Sequence, residues 1–174
     1  MTVVVRDAVE SDADRLGHIK VTGWRTAYRG LVSDAALDRM DADEVAAGFG
    51  SGIAQLVRGD RPGEGFLVAT EAGLAVGYAI IGPYRWDDEI PGAGEVYALY
   101  VDPSRWGGGA GRALVAAAEA RLRVLGHAEA ALWVLEANQL GRSFYEAVGW
   151  SADGAQAARC EVDDALEVRY RRTL

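Results

Sequence analysis

The chain has 174 residues, half of them hydrophobic and a quarter charged, a size and makeup that folds as one domain, here 1–174, without disulfides or metal staples. The net charge of −8 argues against a nucleic-acid surface, which needs a basic face, and the longest apolar runs are far too short to span a membrane. One cysteine forms no internal disulfide, and with two histidines it gives no metal-site spacing. The start Met1-Thr2-Val3-Val4-Val5-Arg6-Asp7 has no basic segment followed by a long apolar core, so the expectation is a cytoplasmic protein without a metal.

Residues 3–6 are short and β-branched and predict a first strand. Ser11 with Asp14 three residues on reads as a capped helix start, continued through Leu16, Ile19 and Lys20. Ser33 or Asp34 caps a short helix to Met40, and Val45, Phe49, Ile53 and Leu56 recur at helical spacing over 44–57. Strands are predicted over 65–70 and 74–81, joined by the turn Glu71-Ala72-Gly73, and 82–94 reads as an extended loop rich in Gly and Pro. A strand over 95–101 follows, then a helix over 110–124 with Leu114, Ala118, Leu122 and Leu125 as its buried stripe. A strand over 129–135, a helix over 138–148 with Leu140, Phe144 and Val148 inward, and strands near 157–163 and 166–172 complete the chain. No repeat or linker interrupts it. The fold class is α/β (α+β): a mixed, mostly antiparallel sheet flanked by helices in the order β-α-α-β-β-β-α-β-α-β-β.

Between the strand at 95–101 and the helix at 110–124 lies Ser104-Arg105-Trp106-Gly107-Gly108-Gly109-Ala110-Gly111-Arg112. Four glycines in five residues destabilise an empty loop by roughly 0.5–1 kcal/mol each, so a ligand is expected there. Unpaired N–H groups and the positive end of the helix suit a phosphate or pyrophosphate. Neither Lys nor Ser/Thr follows Gly111, which excludes a Walker loop, and no third glycine falls where a dinucleotide fingerprint needs one.

The loop resembles the coenzyme A pyrophosphate loop of the GNAT superfamily of acetyl-CoA-dependent N-acetyltransferases. That pattern is Gln/Arg-x-x-Gly-x-Gly/Ala after a strand ending in a Val-Asp-Pro-like turn. Here Val101-Asp102-Pro103 leads to Gly109-x-Gly111, and Trp106 stands in the Gln/Arg place. A second stretch, Leu132-Trp133-Val134-Leu135-Glu136-Ala137-Asn138 and then Phe144-Tyr145-Glu146-Ala147-Val148-Gly149-Trp150, is similar to the family's next conserved block. The two blocks stand in the family's order and spacing over 94–150, and the layout extends over 3–174.

The resemblance implies a transfer of acetyl from acetyl-CoA to a primary amine of a small molecule or peptide, by direct attack in a ternary complex. It also implies that Trp106, Gly107, Gly108, Gly109, Ala110, Gly111 and Arg112 cradle the pyrophosphate. The backbone of Leu99, Tyr100 and Val101 would hold the pantetheine arm and thioester oxygen, with Asn138 both a helix cap and a cofactor contact. Tyr145 is the expected general acid toward the departing thiolate; a half-buried core tyrosine is the other reading. Glu95 reads equally as a proton relay through water or as a solvated residue opening its strand. Trp24, Tyr28, Tyr84 and Tyr97 are the candidate acceptor wall, with one of the Trp24–Tyr28 pair packed in the core. The acids Asp87, Asp88 and Glu89 beside Tyr84 and Trp86 suggest a place for a cationic amine. Trp133 occupies the position where the family's ribosomal-protein enzymes carry Glu, which counts against that substrate class. Cys160 lies outside both blocks, so no acetyl-enzyme is expected. Dimerisation is a family habit with no interface readable here. The alternative reading of the whole chain is a non-catalytic acyl-CoA sensor of the same fold.

Overall fold

The computed structural model describes residues 2–86, 90–158, 160 and 163–174. Strand β1 (Val3–Asp7) is followed by helices α1 (Ala13–Ala27), α2 (Asp34–Arg39) and α3 (Ala42–Arg58), then strands β2 (Gly65–Glu71), β3 (Leu74–Pro83) and β4 (Gly94–Val101). Helix α4 (Ala110–Val124), strand β5 (Glu129–Leu135), helix α5 (Gln139–Ala147) and strands β6 (Ser151–Ala158) and β7 (Leu166–Thr173) complete it. The strands form one seven-stranded sheet, ordered β1-β2-β3-β4-β5-β7-β6 and antiparallel except between β4 and β5. The short α2, capped by Ser33, is the helix predicted to end at Met40; with it three helices stand between β1 and β2, where the predicted order counts two.

Helices cover both faces. Leu114, Ala118 and Leu122 of α4 pack with Ala79, Ile81, Val96 and Leu132 on one face, where Phe144 and Tyr145 of α5 and Val148 just after it join them. Leu16 and Ile19 of α1 and Ile53 of α3 pack with Phe66, Val68 and Tyr78 on the other. α4 lies so close to the sheet that a Cβ on Gly94 would stand 2.6 Å from Leu122 Cδ2, which is why β4 opens on glycine. Glu119 ties α4 to the chain beyond α5: its Oε1 accepts from the buried Trp150 Nε1 at 3.0 Å.

Three expectations are corrected. Ser11 does not cap α1; a 3-10 turn over Glu10–Asp12 precedes it, and the Asp12 carboxylate accepts from Val9 N and from Arg6 Nη1 and Nη2. That fork holds the Asp12 carboxyl below the usual carboxylate range. Strand β6 begins at Ser151, earlier than 157, because pairing with β7 makes a strand of a stretch with no β-branched residue. Leu140 and Leu125 are exposed rather than inside their stripes.

β4 and β5 pair only at Gly94–Ala130 and Glu95–Ala131 and then part. On its other side β4 carries a bulge: Ile81 faces Val96 and Ile80 faces Ala98, leaving Tyr97 as the extra residue. Asp102 N–H donates to Val76 O at 2.8 Å, so alternation along the strand turns the backbone of Tyr100 toward β3 and that of Leu99 and Val101 toward the gap.

Candidate active site

The gap opens into a cavity of about 740 Å³ lined from both faces of the sheet: Trp24 of α1 and Tyr28 just after it on one, Ala110, Phe144 and Tyr145 on the other. At one end sits the glycine loop. Gly107 and Gly109 have φ of 78° and 93°, a conformation natural to glycine, and the turn they make carries the chain into α4. Gly108 N–H donates to Arg105 O, and the first helical bond runs from Ala113 N–H to Gly109 O. No hydrogen bond among the described residues takes the N–H groups of Gly107, Gly109, Ala110, Gly111 or Arg112. These donors, at the positive end of a 15-residue helix, make a cradle that could receive an anion. Arg105 and Arg112 line the same end. The Trp106 indole donates to Val101 O at 2.9 Å, pinning the loop to the end of β4.

α5 forms the adjoining wall. Asn138 Oδ1 accepts from Gly141 N–H at 3.0 Å, capping the helix as the sequence predicts, while no described partner takes its Nδ2. A Cβ on Gly141 would stand 2.6 Å from Asn138 Nδ2, so this glycine makes room for the cap. Tyr145 is half-buried, between the rings of Phe144, Trp150 and Tyr170. None of the described hydrogen bonds takes its hydroxyl. Burial raises this phenol well above the usual tyrosine range, with a further contribution from Tyr28 on the other side of the sheet. The hydroxyl therefore keeps its proton at neutral pH.

Trp24 packs edge-on against Tyr28 with ring centroids 4.9 Å apart; Trp24 is the buried member, and both line the cavity. Glu95 is 2% exposed, which excludes the solvated reading. Its Oε1 accepts from Arg85 Nη2 at 2.9 Å and Trp86 Nε1 at 3.2 Å, and its Oε2 from the Arg85 backbone N–H at 3.1 Å and Arg85 Nε at 3.3 Å. Tyr97 donates from its hydroxyl to Pro83 O at 2.7 Å, and burial, with Glu64 nearby, raises its phenol.

The cavity wall brings together Leu99, Tyr100, Val101, Trp106, Gly107, Gly109, Ala110, Gly111, Arg112, Asn138, Tyr145, Glu95, Trp24, Tyr28 and Tyr97. It leaves out two predicted residues. Gly108 turns its N–H inward to Arg105, and Tyr84 packs with Ile90, Ala93 and Ala131 while its hydroxyl accepts from Arg169 Nη1 at 3.0 Å. Asp87, Asp88 and Glu89 lie outside the described residues. Sequence reasoning missed Arg85, Phe144, Cys160 and Glu167, which also line the cavity. Only Arg85, beside Trp86 in the loop already marked as the acceptor side, carried a local signal.

The fold and site together define an acetyltransferase architecture. A family model described as the acetyltransferase (GNAT) family matches residues 24–150, and the chain belongs to that family. It is 31% identical over 136 residues to an uncharacterized N-acetyltransferase, YuaI, of Bacillus subtilis, covering 78% of this chain and 73% of that protein. A mycothiol acetyltransferase of Thermobispora bispora is 39% identical over 93 residues, covering 51% of this chain but only 32% of its own length. The PaiA N-acetyltransferase of Thermoplasma acidophilum, solved in complex with coenzyme A, superposes over the whole of both chains with a TM-score of 0.79 at 18% identity. YncA of Salmonella typhimurium, a putative acetyltransferase solved with acetyl-CoA, covers 100% of this chain and 95% of its own at a TM-score of 0.71 and 21% identity. Among the described residues no cluster of His, Cys, Asp and Glu could hold a metal, and no helix is long and apolar enough to cross a membrane.

The cradle is open to a direct test. Gly109→Val forces a β-branched residue to φ 93°; its Cβ meets no protein atom within 4 Å, so the strain falls on the loop's backbone and should weaken coenzyme A binding at least tenfold while the far-UV spectrum is retained. Isothermal titration with coenzyme A checks this, and an unchanged dissociation constant in a folded variant refutes the cradle.

Proposed function

We propose that the protein transfers an acetyl group from acetyl-CoA to a primary amine by direct attack while both are bound. The observation that carries this reading is the Tyr145 hydroxyl, kept protonated and unengaged on the wall of a slot that joins an anion cradle on one face to an aromatic wall on the other. The relatives' names and the two neighbours solved with coenzyme A or acetyl-CoA support it. The residues present fit that cosubstrate. Five free N–H groups with Arg105 and Arg112 suit the pyrophosphate, the gap-facing backbone of Leu99 and Val101 suits the pantetheine amides, and Asn138 Nδ2 is a further donor.

Acetyl-CoA supplies the acetyl group activated as a thioester. The slot orients it against the acceptor and replaces water along its length. The neutral amine's lone pair attacks the carbonyl carbon, a C–N bond forms and the C–S bond breaks. The Leu99 and Val101 N–H groups face the gap where the carbonyl oxygen gathers charge. Tyr145 gives its proton to the departing sulfur and regains one from water. The ammonium proton leaves to water. Both Glu95 oxygens already accept two hydrogen bonds each, so we assign Glu95 to holding Arg85 and Trp86 in place rather than to taking the proton.

Three outcomes follow for amine-dependent thiol release. Tyr145→Phe should lower kcat about 10²–10⁴-fold with KM for acetyl-CoA within a few-fold, since the phenol acts on the leaving group; normal turnover with a lower melting temperature returns Tyr145 to the core. Glu95→Gln should reduce kcat/KM for the acceptor by a factor that stays constant with pH. A deficit that shrinks toward the amine's pKa would instead make Glu95 the relay. Cys160→Ala should retain turnover and intersecting initial-rate lines, and an inactive variant would point to an acetyl-enzyme. Tight coenzyme A binding without acetylation of any amine would mark a sensor.

A further inference from the structure

Arg85 is held from three sides at the acceptor end of the cavity, a constraint the acetyl-transfer chemistry itself does not call for. Its Nε and Nη2 form a fork on the buried Glu95 carboxylate, and its own backbone N–H bonds the same carboxylate. Its guanidinium carbon lies 3.7 Å from the centroid of the Tyr97 ring, which is itself anchored to Pro83 O. Such a side chain has already lost the rotamer freedom that an arginine ordinarily loses on binding. Yet its side chain is 49% exposed, it lines the cavity, and no acceptor among the described residues takes Nη1. A planar guanidinium with unengaged N–H groups is the protein group best matched to a carboxylate.

Glu95, 2% exposed and already accepting from Arg85 and Trp86, does not compete with a ligand for the remaining Arg85 N–H groups. The acceptor end therefore offers a donor to its ligand.

We propose that Arg85 receives the carboxylate of the acceptor, so that the amine acetylated belongs to an amino-acid-like molecule carrying its own carboxylate. This rests on the transferase reading above and narrows its substrate. Glu95 becomes the positioning residue that aims Arg85, and Trp24, Tyr28 and Tyr97 form the apolar surround of the rest of the molecule. An amine without an anionic group leaves the Arg85 N–H groups facing water.

The test pairs L-amino acids with their own amides as acceptors, at saturating acetyl-CoA, in wild type, Arg85→Gln and Arg85→Lys. Wild type should favour the acids, and Arg85→Gln should lower the acid-to-amide ratio of kcat/KM by at least about tenfold, the loss expected for a charge-assisted pair. Comparing the ratio between enzymes cancels the difference in amine basicity. Arg85→Lys keeps the charge that neutralises Glu95 but loses the fork, so it should lower the ratio by about threefold or more, and it decides the matter if the Gln variant does not fold. Wild type favouring the amides, or a ratio unchanged in the folded Lys variant, overturns the proposal. Binding of N-acetyl amino acids and their amides to the coenzyme A-saturated protein reads the receptor without turnover. Acids bound about tenfold more tightly support it even if no amine is acetylated, and equal affinities overturn it even if transfer is observed.

Discussion

A strand inside a sheet has its backbone groups matched on both edges, and β4 keeps that arrangement with β5 for two residue pairs only. Every feature of the site is a response to that parting. Buried N–H and C=O groups need partners, so the gap-facing groups of Leu99 and Val101 must be met by something other than β5. The Trp106 indole meets one of them, the Val101 carbonyl, and in doing so ties the glycine loop to the strand that feeds it. In the Gln/Arg place of the family pattern, the tryptophan thus fastens the loop to its strand.

Rigid elements hold the two sides of the gap apart. α4 is pressed onto the sheet by Leu114, Ala118 and Leu122, and its start is fixed where the loop delivers it. The chain after α5 is tied back to α4 through Trp150 and Glu119. On the other face, α1 is joined to the turn after β4 by the ion pair of Arg15 with Asp102. Removing Arg85 would leave the buried Glu95 carboxylate without its compensating charge, so the loop after β3 is fastened by a contact that is costly to break from that side.

The parts legible in the sequence were those written in neighbouring residues. Glycines at 107 and 109 signal a turn because only glycine takes their φ readily, and Asn138 signals a cap because its oxygen reaches the N–H three residues on. The parts that stayed hidden depend on distant partners. Glu95 read equally as a proton relay or a solvated strand opening because Arg85 and Trp86 reach it across a ten-residue excursion with no periodic signature. Strand β6 was placed too late because its Ala, Gly and Asp residues have no strand preference of their own and take their conformation from β7. Ser11 lost its cap because Arg6 and the Val9 N–H fix Asp12 first. Cys160 and Glu167 are brought to the cavity only by the return of the last strands beside β5.

The cavity reaches both faces of the sheet, and this bears on traffic as much as on chemistry. A pocket closed at one end must be filled in a fixed queue, with the last molecule in being the first out. In the proposed reaction, a slot lined from both faces would give each reactant its own doorway: the donor from the side of α4 and α5, the acceptor from the side of α1. Neither arrival would then block the other, and the two products could leave in either order. The acceptor side can then be reshaped, residue by residue, without disturbing the doorway used by the donor.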